Sequence, residues 1–234
     1  MGQCFRIDPP ILLVYLGVVA AGCRSAPGPL IPAGAQPVRD AEVAAWVTST
    51  VPAHRQLYRF KWLFRDERGS AGGRGSVRIA PPDSLRFDVA GPFGSGAASA
   101  VVIGDQALWT DPEDAISRFV PNYPLMWAMF GIARMPPGGV ELRGFANAST
   151  TAWQYAGAAD TIEYVRIASD AGRLIAEVRQ AGKLIGRVET TLGPDEIPLK
   201  ARLTVPSAPA QLDLTFLSIA RDSFAPDIWL PRKP

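Results

Sequence analysis

The stretch Leu57-Tyr58-Arg59-Phe60-Lys61-Trp62-Leu63-Phe64 decides the fold. Tyr58, Phe60, Trp62 and Phe64 fall on one side of a two-residue period, and Arg59, Lys61 and Arg65 on the other. A period of two with one apolar and one charged side is a half-buried β-strand. The same alternation returns downstream. Leu85, Phe87 and Val89 alternate with Arg86 and Asp88, and Leu174, Ala176 and Val178 with Glu177 and Arg179. Leu199, Ala201, Leu203 and Val205 alternate with Lys200, Arg202 and Thr204, and Leu212, Leu214 and Phe216 with Asp213 and Thr215. Trp153 and Tyr155 mark another strand, residues 162–167 the next, and residues 184–192 one more.

Between these strands lie short turn signals. They are Gly69-Ser70-Ala71-Gly72-Gly73, Pro81-Pro82-Asp83, the break from Gly91 to Gly96, Gly104-Asp105, Gly138-Gly139 and Ala181-Gly182. Connections this short require antiparallel pairing. The pattern predicts roughly ten or eleven strands in a meander.

Only two places read as helix. Residues 40–51 carry Val43, Ala44 and Val47, with Asp40 as a candidate cap. Asp111-Pro112-Glu113-Asp114 opens the second region, with proline and acids suited to a helix start. That region continues into Leu125, Met126, Trp127, Met129, Phe130 and Ile132, too apolar for a surface helix. A sheet with one apolar face must be covered. Two helices are too few to fill a closed barrel. The expected fold class is therefore mainly β with a few helices, an antiparallel unclosed half-barrel covered by a helical lid. Tyr58, Phe60, Trp62, Phe87, Leu125, Trp127, Met129 and Phe130 would line an apolar hollow between lid and sheet, fit for acyl chains. A solid core would need the same alternation, so the pattern leaves both open.

The first 23 residues read as an export signal. An apolar run over residues 11–22 stops at Val19-Ala20-Ala21-Gly22-Cys23, with three small residues ahead of the cysteine. The run is shorter than the ~20 residues a spanning helix needs. This predicts a lipoprotein signal peptide over 1–22, with lipidation at Cys23. A Pro-, Gly- and Ala-rich tether over 23–38 and a single domain over 39–234 follow. An ordinary secretory leader is the alternative. Removal of Cys4 with the leader leaves one cysteine, so the domain must be stable by packing without a disulfide.

The formal net charge is +2 and both signs are mixed along the chain, with no basic stripe interleaved with aromatics. Nucleic-acid binding is not expected. His54 is the single histidine, and no Gly-x-Ser-x-Gly elbow accompanies it. The glycines of 69–75 lead into a strand and lack a following Lys-Ser/Thr, unlike a phosphate loop. No catalytic residue, metal site or cofactor is expected, and the chain does not read as an enzyme.

Three stretches resemble the LolB family of outer-membrane lipoprotein receptors and, more distantly, the soluble LolA carriers. They are Asp83-Ser84-Leu85-Arg86-Phe87-Asp88-Val89-Ala90-Gly91-Pro92-Phe93-Gly94, Pro124-Leu125-Met126-Trp127-Ala128-Met129-Phe130-Gly131, and the string of strands over residues 174–216. The resemblance implies binding of lipoprotein acyl chains or phospholipid and their delivery to the outer membrane. The partner would be a LolA-like periplasmic carrier. It implies a membrane-insertion loop at Pro92, Phe93 and Gly94, with Phe93 where the family presents a leucine. It places the protein as a monomer on the periplasmic face of the outer membrane, held through Cys23. Arg24 after the cysteine is not the aspartate that retains lipoproteins at the inner membrane. A second reading keeps the fold and makes it a structural or sensory lipoprotein that binds a protein partner.

Overall fold

The computed structural model describes residues 30–91, 96–113, 122–135, 140–168 and 172–230. Cys23, Pro92, Phe93 and Gly94 lie outside the described residues. In chain order the elements begin with β1 (Gln36–Val38), α1 (Asp40–Thr50), β2 (Gln56–Asp66), β3 (Gly69–Ala80), β4 (Ser84–Ala90), β5 (Ala97–Ile103) and β6 (Gln106–Asp111). After α2 (Tyr123–Ala128) come β7 (Glu141–Ala146), β8 (Thr150–Ala156), β9 (Asp160–Ile167), β10 (Gly172–Gln180), β11 (Lys183–Leu192), β12 (Pro198–Val205) and β13 (Ala210–Arg221). No described helix is long and apolar enough to cross a membrane.

All thirteen strands of the described residues belong to one antiparallel sheet, in the order β1-β7-β8-β9-β10-β11-β12-β13-β2-β3-β4-β5-β6. The expected mainly-β, unclosed antiparallel sheet is what forms. Two meanders, β2 to β6 and β7 to β13, join where β13 pairs with β2. β1 and β6 are the open edges. This topology explains the helices. The chain leaves β6 at one edge and must reach β7 near the other, and α2, between them in sequence, packs on β10 and β11 in mid-sheet. Similarly, α1 links edge strand β1 to β2 in mid-sheet and packs against β7.

The helices define an inner face, against which the apolar side of every long strand is buried. Phe60, Val77, Leu85, Trp153, Val178, Val188 and Leu203 are among the core side chains there. The outer face is largely polar, but parts of it are buried. Ala152, Val165 and Ile175 form a small outer cluster, against which Leu30, Ile31 and Phe145 pack. Glu177 is fully buried and paired with Arg179 and Arg187, each at 2.9 Å.

Several local expectations shift. The described strands number thirteen because Gln36–Val38, inside the expected tether, pairs with β7, and because Glu141–Ala146 forms β7 itself. Arg39 precedes α1 as its cap residue, so Asp40 is already helical and makes no side-chain cap. The segment Gly69 to Gly73 is strand, not turn. The turn comes earlier, where an Asp66 carboxylate oxygen accepts the backbone N–H groups of Arg68 and Gly69. The glycines make room across the sheet. A Cβ on Gly73 would sit 2.0 Å from the Ala90 carbonyl oxygen, and one on Gly75 would sit 2.5 Å from the Phe60 ring. Composition alone cannot tell a glycine that turns from a glycine that yields space.

At the carboxyl end, residues 226–230 lie on the outer face of β4 to β6. Arg86, 2% exposed, donates to the carbonyls of Ile228 and Leu230, and Trp109 Nε1 donates to the Trp229 carbonyl at 2.8 Å. Trp229 is thereby held against the body, and its ring lies 6.1 Å from that of Phe224.

Candidate functional site

The candidate residues converge on the inner face. Tyr58 and Phe60 come from β2, Phe87 from β4, and Leu125, Trp127, Met129 and Phe130 from α2 and the turn after it. Alternation on β2 and β4 aims the aromatic side chains inward, while α2 packs on β10 and β11 and the turn after it brings Phe130 onto them. The Phe130 ring centroid lies 5.8 Å from Tyr58, 6.2 Å from Phe60, 6.5 Å from Phe87 and 6.0 Å from Phe216. Such edge and tilted contacts add about 0.5–1.5 kcal/mol per pair beyond area burial. Trp62 packs at the margin of the same core. It is half-buried further along β2, and its Nε1 faces the carbonyls of Arg74 and Ala90 at 3.3 and 3.2 Å. Phe216 belongs to the aromatic cluster and was not singled out in the sequence. Its place in an alternating strand was legible, but its neighbours across the sheet were not.

α2 is held to the sheet by a few directed bonds. Trp127 Nε1 donates to the Gly104 carbonyl at 2.7 Å. Thr190 Oγ1, fully buried on β11, donates to the Ala128 carbonyl at 2.7 Å. The Thr50 hydroxyl accepts the Ala133 backbone N–H, and the Tyr164 hydroxyl joins the Arg134 backbone. The Arg134 guanidinium lies 5.0 Å over the Trp127 ring and donates to the Pro82 carbonyl. All four side chains from Leu125 to Ala128 are buried, so this short helix is apolar on every side.

Two hollows flank it. A cleft of about 540 Å³ opens at the start of α2, between the β5–β6 and β8–β9 turns. Tyr123, Pro124, Val140, Tyr155 and Ile162 give it apolar walls, and Asp105, Asn122, Arg134 and Asp160 border it. A smaller hollow of about 120 Å³ lies at the other end, touching Tyr58, Phe130, Leu174, Leu192 and Ile219. The candidate residues thus reach the small hollow but do not line the larger cleft. Its walls come from turn and strand-end residues, which carry no periodic signal. Asn122 Oδ1 beside the cleft and Trp153 Nε1 beneath the helices are buried with no hydrogen-bond partner. Burial pushes the Tyr155 hydroxyl up to about 12, and moves those of Tyr58 and Tyr164 upward as well.

His54 is exposed at the end of the α1–β2 connection. Among the described residues, no group of three or more His, Cys, Asp or Glu side chains could hold a metal ion.

The architecture has relatives among solved structures. A LolA superfamily protein from Nitrosomonas europaea superposes with a TM-score of 0.54 at 10% identity, covering 83% of this chain and 99% of that one. The fold is LolA-like. A domain described as that of an outer membrane lipoprotein-sorting protein, from Vibrio parahaemolyticus, aligns over 81% of this chain and 95% of its own, with TM-score 0.48 and 9% identity. No family model matches the sequence, and no curated protein matches it at a significant level. The LolA-like fold is therefore shared at the level of backbone, with nearly every side chain replaced.

Proposed function

We propose that this protein is a lipid-anchored envelope lipoprotein that binds acyl chains of lipoproteins or phospholipid on the inner face of its sheet. It delivers them to the outer membrane in the manner of LolB. In this reading α2 is the lid, Cys23 carries the anchor, and Phe93 touches the bilayer at the tip of the loop between β4 and β5. A LolA-like carrier would supply the cargo from the periplasm.

The observation that carries the reading is the setting of α2. A helix apolar on all sides packs on β10 and β11, followed by Phe130 within an aromatic cluster, tied down by a few hydrogen bonds, beside a cleft of about 540 Å³. Clefts of this size suit a lipid tail. Lifting α2 together with Phe130 would expose Phe60, Phe87 and Phe216, which the Phe130 ring covers. Burial of each methylene then contributes about 0.8 kcal/mol, so affinity grows with chain length and needs no covalent step. Asn122 Oδ1 at the mouth is an acceptor in want of a donor, and the amide or hydroxyl groups of a lipid head supply one.

The test uses the full chain with Cys23→Ser, which lacks the anchor. Organic extraction and mass spectrometry should find acyl lipid at one equivalent, and a fluorescent acyl probe should displace it. An empty protein that ignores the probe would refute the reading and favour a protein partner. Phe93→Asp in the anchored protein should impair lipoprotein delivery without unfolding the domain. Undiminished delivery would remove the loop from the mechanism.

A further inference from the structure

The outer face of the sheet carries a row of cations that the fold itself does not explain. Arg74 on β3 lies directly opposite Lys61 on β2. Lys61 in turn faces Thr215 on β13, and Thr215 faces Lys200 on β12. The row spans three strand spacings, about 15 Å. All four residues are exposed, and Arg74, Lys61 and Lys200 make no ion pair among the described residues. Like charges placed directly opposite each other destabilise a strand pair. Here Lys61 and Arg74 do so with nothing to offset it.

The nearby carboxylates do not relieve the row. Asp213 is held by Arg65 and Arg202, at 2.6 and 2.7 Å, and Glu189 by Arg187 at 2.8 Å. Burial acts to raise the Asp213 carboxyl, but the bonds from Arg202, Gln211 and Arg65 outweigh it and hold the carboxyl below the usual range. Arg59 adds another exposed, unpaired cation at the next outward position of β2. Beside the row runs an open trough of about 700 Å³, which Lys61, Lys200, Thr191 and Thr215 border. Lysines and hydroxyls around a shallow trough suit phosphate groups.

We infer that this outer face docks on an anionic phospholipid surface, with Arg74, Lys61 and Lys200 against the lipid phosphates. The start of the described chain favours a bilayer over a soluble polyanion. Leu30 and Ile31 pack on Ile175 and its neighbours. Ile175 shares a cross-strand row with Glu189 and Arg202, so it lies on the same outer face, about two strand spacings or 10 Å from the basic patch. Cys23 stands seven positions ahead of Leu30, a reach of at most about 25 Å. A lipid anchor there therefore tethers the domain from its basic side. The inference rests on the anchored-lipoprotein reading for this orientation. It leaves the inner face and its cleft turned away from the bound bilayer, open to incoming cargo.

The experiment compares binding of the full chain carrying Cys23→Ser to vesicles of pure phosphatidylcholine and to vesicles rich in phosphatidylglycerol. The apolar leader contributes equally to both, so the ratio of affinities reads the headgroup. Each cation at an anionic surface contributes roughly a fivefold preference at low salt. The triple substitution Lys61→Gln, Arg74→Gln, Lys200→Gln should then cut the ratio on the order of 100-fold. Rising salt should do the same to the unaltered chain. The triple change removes repulsion, so folding should survive, as a thermal melt would show. Lys183→Gln with Arg55→Gln, two exposed cations away from the row, should leave the ratio intact. Equal binding to both vesicles, or a ratio that the triple substitution does not alter, overturns the inference. So does tight binding of heparin without any vesicle preference. An acyl-probe titration on the same proteins separates the two readings. Probe uptake without vesicle preference sinks only the docking face, and vesicle preference without probe uptake sinks only the acyl site.

Discussion

Thr190→Val probes the hold of the sheet on α2. Threonine and valine have nearly the same shape, so the substitution deletes one hydroxyl and leaves the packing in place. That hydroxyl is fully buried and donates to the Ala128 carbonyl at 2.7 Å. The carbonyl keeps a second partner, the Gly131 backbone N–H at 3.0 Å, so it is not left orphaned. The expected loss is then near that of one net hydrogen bond, about 1 kcal/mol. For a chain of this size that lowers the melting temperature by about 2–4 °C. The same deletion should ease the lifting of α2, because the bond exists only while the helix is down. A difference of ~1 kcal/mol corresponds to roughly a fivefold change in an equilibrium, so acyl-probe entry should quicken by about that factor. Urea unfolding and stopped-flow probe uptake on the same protein make the two measurements. A stability equal to or above that of the parent would refute the assigned bond. A normal loss of stability with unchanged probe entry would show that α2 does not lift to admit lipid.

Other consequences are open to measurement. Gly73→Ala should cost about 3 kcal/mol in urea unfolding, since its methyl would meet the Ala90 carbonyl and force β3 from β4; a loss under 1 kcal/mol would disprove that contact. Glu177→Gln should cost about 2–3 kcal/mol. This lies at the low end for a broken buried pair, because Arg179 and Arg187 remain 27% and 28% exposed and can rehydrate. A neutral result would mean the pair is replaceable. The fold holds the Tyr155 hydroxyl neutral, with its pKa raised to about 12 by burial. That stabilisation is complete below about pH 10, where the unfolded chain is also neutral, and is lost as pH rises toward 12. Tyr155→Phe should therefore flatten the decline of the urea midpoint between those values, and an unchanged alkaline slope would contradict the assignment.

The sheet was largely legible because alternation is a local property. Residues 57–64, 174–179, 199–205 and 212–216 each announce a strand, and each of them is one. The apolar character of Leu125 to Phe130 likewise required cover, and the helix there is buried on all sides. Where the reading failed, a residue served a partner distant in sequence. Gly69 to Gly73 resembled a turn but form a strand, because Gly73 must clear the Ala90 carbonyl. Gln36–Val38 looked like tether because a three-residue edge strand is too short to show a period, and only its pairing with β7 reveals it. Glu177 read as one more solvent-facing charge, whereas β9 and β11 bury it between arginines.

By itself, the sequence determined that the chain forms an antiparallel, mainly β sheet with one apolar face, since side-chain period and turn chemistry act within a few residues. It also determined which aromatic side chains face inward. Only the tertiary structure decided which strands are neighbours and that β13 closes onto β2. From that order follow the packing of α2 on β10 and β11, the cleft among turn residues beside it, and the alignment of Arg74, Lys61 and Lys200 in a single row. These depend on register between segments more than 150 residues apart, as Lys61 and Thr215 are. Register is fixed when whole faces are buried together, and no local stretch of chain encodes it alone.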